Sequence, residues 1–303
     1  MNKVGILTGG GDCPGLNPAI RAAVAYLVRH GIKVIGIHDG WRGLLTEEVT
    51  PLGVESVAGI IGQGGTILGT SRTNPLKVEG DLAKVIKSIK AQGLDAIIAI
   101  GGDDTLSVAA GLWERGVPVV GVPKTMDNDI EETDYCFGFD TAVTVAVEAV
   151  ERLRDTARSH RRIMVLEVMG RYTGWVALWT GMASGADWIL IPEVPLDLEE
   201  MCENLHRIWD KRRYALVVTS EGLDMGKTGG AGAERDAFGH EALQKRGVGQ
   251  WVADQIHDRT GVETRASVIG HIQRGGAPTT FDRILATRLG IGAAELIRQG
   301  RFG

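Results

Sequence analysis

Cysteine and proline are scarce in this sequence, and basic residues do not outnumber acidic ones. The three cysteines among 303 residues match no metal-ligand spacing, which excludes a disulfide scaffold and favours a reducing cytoplasm. Nine prolines and no Gly-X-Y repeat exclude collagen-like and low-complexity classes.

The charge of the chain bears on its partners. Lys and Arg number 33 against 38 Asp and Glu, a net charge of -5, so we expect no nucleic-acid partner. We expect no membrane partner either, because no apolar run reaches the ~18 residues of a span and the first residues lack a signal-peptide layout.

Glycine, by contrast, is abundant, with 43 of 303 residues, about 14% and roughly twice the average usage. Without a repeat, these glycines are expected in many separate turns, where the backbone approaches another group closely or takes a positive φ. With 44% hydrophobic and 23% charged residues, the composition is that of an ordinary globular protein. The length is at the upper limit for one compact core and suggests two lobes.

Short runs of β-branched residues alternate with longer amphipathic stretches. The predicted strands cover 3–8, 33–38, 95–100, 117–122, 162–168, 187–191, 214–220 and 264–269. The predicted helices cover 17–30, 81–92, 105–115, 139–159, 173–184, 197–212, 240–260 and 281–299. This alternation is typical of a parallel α/β sheet with helices on both faces.

In such sheets, ligands bind at the loops that follow the carboxyl ends of the strands. The loops expected at those ends are 8–17, 101–105, 123–129, 169–173, 220–224 and 270–276. Residues 224–240 have neither a helix nor a strand period, and we interpret them as a surface insertion in preference to a lid.

Two glycine-containing loops have the composition of phosphate-binding loops. In 9–12, backbone N–H groups and the start of the following helix could face an anion, although the same glycines would also serve a tight strand-to-helix turn. The segment 101–105 repeats the arrangement, and Asp103 could hold Mg²⁺ there. The alternative is that Asp104 or Thr105 simply caps the helix.

The loop 123–129 combines an ammonium, a hydroxyl and two carboxylates. Asp127 and Asp129 are two residues apart, so in an extended segment they point the same way. One could accept a proton from a substrate hydroxyl while the other helps to hold a metal. The alternative is an Asx-turn cluster on a solvated loop.

Several cationic or titratable side chains lie near predicted strand ends or glycine-bearing turns. Each one alone could be a surface charge, but together they favour an anionic substrate, because guanidinium groups bind phosphate with two parallel hydrogen bonds. They are Arg72, Arg162, Arg171, Arg265, His271 and Arg274.

Taken together, these loops resemble those of the phosphofructokinases. The matching segments, in order, are 9–12 (GGGD), 65–72 (GTILGTSR), 101–105 (GGDDT), 123–129 (PKTMDND), 169–171 (MGR), 220–222 (SEG) and 270–276 (GHIQRGG). The resemblance implies an α/β fold of two Rossmann-like lobes, with a phosphoryl-donor lobe of 1–138 plus 273–303 and a sugar-phosphate lobe of 139–272. Family members continue for a few dozen residues past the position of Gly303, so we expect the family's C-terminal tail to be missing here.

The resemblance also implies residue roles. Asp127 would be the general base for the 1-hydroxyl of fructose 6-phosphate, and Asp103 would bind Mg²⁺. The catalytic residues implied are Asp127, Thr125, Arg72 and Arg171, and the donor-binding residues are Gly11, Gly102, Asp104 and Lys124. The substrate-binding residues implied are Thr125, Asp127, Asp129, Arg162, Met169, Gly170, Arg171, Glu221, Arg265, His271 and Arg274. Of these, Arg162 and Arg265 would reach a neighbouring subunit's substrate, which implies a homodimer or homotetramer with shared active sites.

Two positions distinguish pyrophosphate from ATP as the phosphoryl donor. ATP-dependent members usually have glycine where this chain has Asp104, whose bulk and charge oppose a nucleotide, and pyrophosphate users have a lysine at the position of Lys124. The resemblance therefore implies reversible transfer from pyrophosphate to fructose 6-phosphate, giving fructose 1,6-bisphosphate and phosphate, in glycolysis and gluconeogenesis. The alternatives are an ATP-dependent 6-phosphofructokinase and an inactive sugar-phosphate-binding regulator.

Overall fold

The computed structural model describes residues 1–226, 243 and 246–303, and its first sheet is built from the first half of the chain. Its strands are β1 (Lys3–Thr8), β2 (Lys33–Ile37), β3 (Val49–Leu52), β4 (Ala96–Gly101) and β5 (Val119–Pro123). Their order is β3-β2-β1-β4-β5, and all pairs are parallel except β2 with β3. The helices of this half are α1 (Leu16–Arg29), α2 (Arg42–Leu45), α3 (Asp81–Ala91) and α4 (Asp103–Trp113).

The second sheet is parallel throughout. Its strands are β6 (Ile163–Val168), β7 (Trp188–Leu190), β8 (Ala215–Ser220) and β9 (Thr264–Val268), in the order β7-β8-β6-β9. The helices of this half are α5 (Phe139–His160), α6 (Trp175–Ser184), α7 (Leu198–Arg212) and α8 (Val248–Thr260), and the chain returns to the first sheet through α9 (Thr280–Arg298). None of the helices within the described residues is long and apolar enough to cross a membrane.

The apolar run in β4 is buried from both sides. Ile98 and Ile100 pack in a core with α1 and α9, whereas Ile97 and Ala99 pack in a second core with α3 and α4. A parallel strand covered by helices on both faces needs this continuous apolar pattern. The predicted α/β class, with helices on both faces of parallel sheets, is confirmed.

One strand differs from the prediction. The antiparallel strand β3 was not predicted, because Pro51 lies within a run of only four residues, and proline disfavours a strand unless it lies at a sheet edge. It pairs only with β2, at the edge of the sheet, where proline is tolerated because one side of an edge strand has no partner strand. The predicted helix 240–260 appears as Val248–Thr260, and most of the predicted 224–240 insertion lies outside the described residues.

The strand order places the loops of interest at one edge of each sheet. The chain leaves β1 toward β2 on one side, while β4 pairs on the other side of β1. This reversal makes a crevice at the carboxyl ends of β1 and β4, the usual binding position in an open α/β sheet. Strand β6 has the same position in the second sheet, between β8 and β9.

Helices α1 and α9 approach so closely that a side chain would not fit at Gly290. A Cβ atom there would lie 2.4 Å from the carbonyl oxygen of Ala19, whereas a Cβ at Gly292 on the same helix would meet nothing within 4 Å. We expect Gly290→Ala to lower the free energy of unfolding by about 1–3 kcal/mol. The matched control Gly292→Ala should leave it unchanged or raise it by up to about 1 kcal/mol. Chemical denaturation of both variants tests this difference, and equal stabilities would contradict it.

Candidate active site

A cleft of about 260 Å³ lies between the carboxyl edges of the two sheets. It brings together residues that are far apart in the sequence. The predicted site residues that line it are Gly11, Arg72, Gly102, Asp103, Asp104, Lys124, Thr125, Asp127, Asp129, Met169, Arg171, Glu221, His271 and Arg274. Cationic and acidic side chains are concentrated in this one cleft, as a site for a phosphorylated ligand and a metal ion would require.

The two glycine loops after β1 and β4 form one unit. The N–H of Gly9 donates to the carbonyl of Ile100 at 2.9 Å, and the buried Thr105 side chain packs against both loops. A Cβ at Gly101 would lie 2.3 Å from the Cβ of Thr105, so glycine is required for this contact. The start of α4 at Asp103, with Gly102 as its N-cap, adds the partial positive charge of a helix N-terminus.

Lys124 is a buried cation on the floor of the cleft. It is 3% exposed, and its Nζ donates to the carbonyl of Gly11. Burial lowers the pKa of Lys124, and the Asp127 carboxylate acts in the opposite direction. A buried ammonium beside a phosphate-binding loop is positioned to pair with a small anion.

Carboxylates crowd the other side of the cleft. Burial, reinforced by the charge of Asp129, raises the pKa of Asp127 from 3.8 to about 6, although Arg274 and Arg171 oppose the shift. Burial and Asp129 also raise the pKa of Asp103. The backbone N–H of Asp127 donates to the Thr125 hydroxyl at 3.0 Å, which fixes the loop. Asp127 therefore has a pKa suited to a general base near neutral pH.

The turn after β6 is held through three consecutive N–H groups. Glu221 Oε1 accepts hydrogen bonds from the N–H groups of Gly170 at 3.3 Å and Arg171 at 3.1 Å. The N–H of Met169 donates to Oε1 of Gln273 at 2.8 Å. Arg171 has a φ of +56°, a left-handed conformation that persists only where the surroundings enforce it. Burial raises the pKa of Glu221 to about 7, while the N–H of Arg171 favours its charged form.

An ion pair crosses the cleft between the two sheets. Nη2 of Arg171 lies 3.9 Å from Oδ2 of Asp104, so the carboxylate in the first turn of α4 faces the guanidinium from the turn after β6. Nearby, Nη1 of Arg274 lies 4.0 Å from Oδ1 of Asp12. The buried Nε of Arg274 has no hydrogen-bond partner among the described residues, and a bound anion would satisfy it.

Two predicted residues lie elsewhere. Arg162 and Arg265 are at the amino ends of β6 and β9, where both pair with Glu263, at 3.4 Å and 3.0 Å. The cleft is at the opposite, carboxyl ends of these strands. Gly170, the remaining predicted residue, does not line the cleft, but its N–H is bonded to Glu221.

The structure also adds residues that were not predicted to belong to the site. Asp12, Met126 and Leu243 line the cleft, as does Thr105, which was considered only as a helix cap. Gln273 is fully buried, and its Nε2 donates to the carbonyl of Ala142 at 3.4 Å while its Oε1 holds Met169. Gln273 lies within the predicted 270–276 loop, but its burial and its partners depend on the folded chain, so nothing in the sequence indicated this role.

The acidic residues of the cleft bear on how a metal ion would be held. Among the described residues, no group of three or more His, Cys, Asp or Glu side chains is arranged to hold a metal ion. Mg²⁺ needs fewer protein ligands than this, since it is commonly bound by one or two carboxylates together with water and substrate phosphates. The repulsion between Asp103 and Asp129 is what a cation would relieve.

A crevice between two α/β sheets, with glycine loops, buried cations and a raised-pKa carboxylate, defines a protein of the phosphoryl-transfer class. The phosphofructokinase family model matches residues 3–297, and the chain belongs to the phosphofructokinase family. It is 53% identical over 308 residues to a pyrophosphate–fructose 6-phosphate 1-phosphotransferase of Amycolatopsis methanolica, covering 99% of this chain and 89% of that one. It is 46% identical over 310 residues to ATP-dependent 6-phosphofructokinase 3 of Streptomyces coelicolor, with the same coverage of 99% and 89%.

Solved structures agree on the fold. The Pichia pastoris phosphofructokinase in the T-state matches with a TM-score of 0.84 and 31% identity over 98% of this chain, which spans 32% of that longer chain. A pyrophosphate-dependent phosphofructokinase from Marinobacter aquaeolei matches with a TM-score of 0.83 and 24% identity, over 100% of this chain and 77% of that one.

Proposed function

We propose that this protein transfers a phosphoryl group from pyrophosphate to the 1-hydroxyl of fructose 6-phosphate, giving fructose 1,6-bisphosphate and phosphate. The observation that carries the proposal is the position of Asp104 and Lys124, which line the same cleft as Asp127. The carboxylate of Asp104 opposes the additional phosphate of a nucleotide, while the ammonium of Lys124 suits a compact anion. The names of relatives about 50% identical over the whole chain support the same donor.

In this proposal, Asp127 accepts the proton of the attacking hydroxyl and Thr125 fixes the Asp127 backbone. Arg72 and Arg171 stabilise the charge on the transferred group, and such stabilisation is commonly the largest contribution to catalysis. Lys124, Gly11 and Gly102 hold the donor. Because a phosphoanhydride bond is replaced and phosphate leaves, the reaction is nearly balanced and can serve both glycolysis and gluconeogenesis.

The lobes would divide these tasks. We assign the donor to the lobe of 1–138 plus 273–303 and the sugar phosphate to that of 139–272, where Met169, Gly170, Glu221 and His271 would bind it. Asp129 and Arg274 would contact the sugar phosphate from the donor lobe. Arg162 and Arg265 lie away from the cleft of their own chain, which supports the proposal that they reach the sugar phosphate of a neighbouring copy in a homodimer or homotetramer.

Mg²⁺ is the proposed metal, held by Asp103. When bound, Mg²⁺ neutralises charge on the phosphoryl oxygens. The proposed location is the cytoplasm, since all three cysteines are buried free thiols.

A donor comparison tests the proposal. Product formation is measured with fructose 6-phosphate, Mg²⁺ and either pyrophosphate or ATP, with Asp127→Asn as the inactive control. We expect kcat/KM to be at least about tenfold higher with pyrophosphate, the equivalent of ~1.4 kcal/mol of transition-state binding. Faster turnover with ATP would assign the chain to the ATP-dependent enzymes, as the 46% identical relative is named. Sugar-phosphate binding without transfer from either donor would favour a binding regulator.

A further inference from the structure

A buried carboxylate in the second sheet does not line the cleft. Glu167 lies on β6 with 2% of its surface exposed, and its Oε2 accepts a hydrogen bond from the N–H of Gly249 at 2.6 Å. Gly249 is in the first turn of α8, so Glu167 also faces the positive end of that helix. Burial raises the pKa of Glu167, while the N–H of Gly249 and the guanidinium of Arg246 oppose the shift.

Arg246 lies three residues before Gly249 and connects the start of α8 to the loop that follows β8. Its Nη2 donates to the carbonyl of Leu223 at 2.9 Å, and its Nη1 donates to the carbonyl of Glu221 at 3.4 Å. A guanidinium can make both bonds at once, because its N–H groups diverge in a fixed plane. A lysine ammonium on a single flexible stem cannot reproduce that geometry.

The loop that Arg246 holds carries Glu221. Glu221 in turn accepts hydrogen bonds from Gly170 and Arg171, and the left-handed backbone at Arg171 depends on that support. Glu167 therefore holds the start of α8, and Arg246, just before that helix, holds the 221–223 loop. Glu221 in that loop in turn holds the 170–171 turn.

Stability alone does not account for a buried carboxylate and a partly buried guanidinium in this position. Apolar side chains of similar size are often at least as stabilising as charged ones, because desolvation opposes the burial of a charge. The contacts of Arg246 are instead directed at main-chain carbonyls of a loop that lines the cleft. This is the arrangement expected of groups that support a binding residue from behind.

We propose that Glu167 and Arg246 are positioning residues that fix the 221–223 loop and thereby set the affinity for the sugar phosphate without touching it. The proposal rests on the proposed function, since Glu221 and Arg171 are ligands of the sugar phosphate only within it.

Two conservative variants test the pair. Arg246→Lys keeps the charge but loses the two-carbonyl geometry, and Glu167→Gln keeps an acceptor for Gly249 but loses the charge. Their matched controls are Arg259→Lys and Glu203→Gln, the same changes on exposed helix surfaces. Calorimetry measures the binding of fructose 6-phosphate and, separately, of pyrophosphate with Mg²⁺, and steady-state assays give kcat and KM for each substrate.

We expect both variants to weaken fructose 6-phosphate binding, in Kd and KM, by about tenfold. Binding of pyrophosphate and kcat should stay within about twofold of the wild type, and the controls should match the wild type throughout.

A merely structural role would lower Tm and weaken the binding of both ligands equally, and that result would overturn the proposal. Unchanged sugar-phosphate affinity in both folded variants would overturn it as well. Failure of the wild type itself to bind fructose 6-phosphate would contradict the proposed function and this proposal with it, whereas the variant results bear on the positioning pair alone.

Discussion

Replacing Asp127 with asparagine is expected to lower kcat by about 10³-fold, because the amide cannot accept the proton of the attacking hydroxyl. The KM for fructose 6-phosphate should change little, since asparagine keeps the shape and one hydrogen-bond acceptor. Steady-state assays with pyrophosphate measure both constants. The same substitution at Asp155, exposed on α5, is the control and should leave kcat unchanged. An Asp127→Asn enzyme with wild-type kcat would show that another group is the base.

The pH dependence of the wild type follows from the same residue. The pKa of Asp127 in the free protein is raised to about 6 by burial and by Asp129, so kcat/KM should fall as the pH is lowered through about 6 and the carboxyl becomes protonated. The asparagine variant should lack this acid limb. Comparison with that variant separates the limb from the ionisation of Glu221, whose pKa of about 7 affects binding in a neighbouring pH range.

Asp127→Asn should raise the free energy of unfolding although it lowers the activity. The folded-state pKa of Asp127 lies above the ordinary value of 3.8, so ionisation disfavours the folded state, and this cost is complete above the folded pKa. Asp127→Asn removes the charge and should raise the free energy of unfolding at pH 8 by about 1–2 kcal/mol, with the gain disappearing below pH ~4. Thermal or chemical unfolding at the two pH values tests the sign.

We expect the largest change in donor preference when the charges of both Asp104 and Lys124 are removed. For Asp104→Gly combined with Lys124→Gly, we expect the ratio of kcat/KM for ATP to kcat/KM for pyrophosphate to rise by about 10²-fold or more. Removal of Asp104 takes away a carboxylate that would repel a nucleotide phosphate. Removal of Lys124 deprives pyrophosphate of a charge-assisted contact in a buried position, about 1.5–3 kcal/mol.

The single variants serve as internal controls for this result. Asp104→Gly alone should raise ATP use with a smaller loss of pyrophosphate use, and Lys124→Gly alone should mainly depress the pyrophosphate reaction. Asp104→Gly also frees the guanidinium of Arg171, 3.9 Å away, so the KM for fructose 6-phosphate is measured in parallel. A double variant that still prefers pyrophosphate by the wild-type ratio would locate donor selection elsewhere in the cleft.

Much of this architecture is predictable from the sequence where one local pattern decides the outcome. Strand β4 was predicted within one residue because a helix covers each face and every residue must be apolar. The glycine loops at the carboxyl ends of the strands indicated the cleft because parallel strands bring their carboxyl ends to one edge. Strand β3 was missed because its edge position, which makes Pro51 acceptable, is a property of the assembled sheet.

The supporting residues of the site were not predictable in the same way. Gln273 and Arg246 act on backbone groups of segments far away in the sequence, at Met169 and Leu223. Nothing in the local composition around either residue records those partners. Likewise, the pairing of Arg171 with Asp104 joins the two sheets, and it depends on how closely the sheets approach each other.

The joining of the two glycine loops has a consequence for donor preference. The N–H of Gly9 is hydrogen-bonded to the carbonyl of Ile100 and Thr105 packs against Gly101, so the two glycine loops form one fixed backbone unit. The chain's relatives include proteins named for pyrophosphate and for ATP, at 53% and 46% identity. Under the proposed roles of Asp104 and Lys124, substitutions at these two positions would change the donor preference without rearranging this backbone.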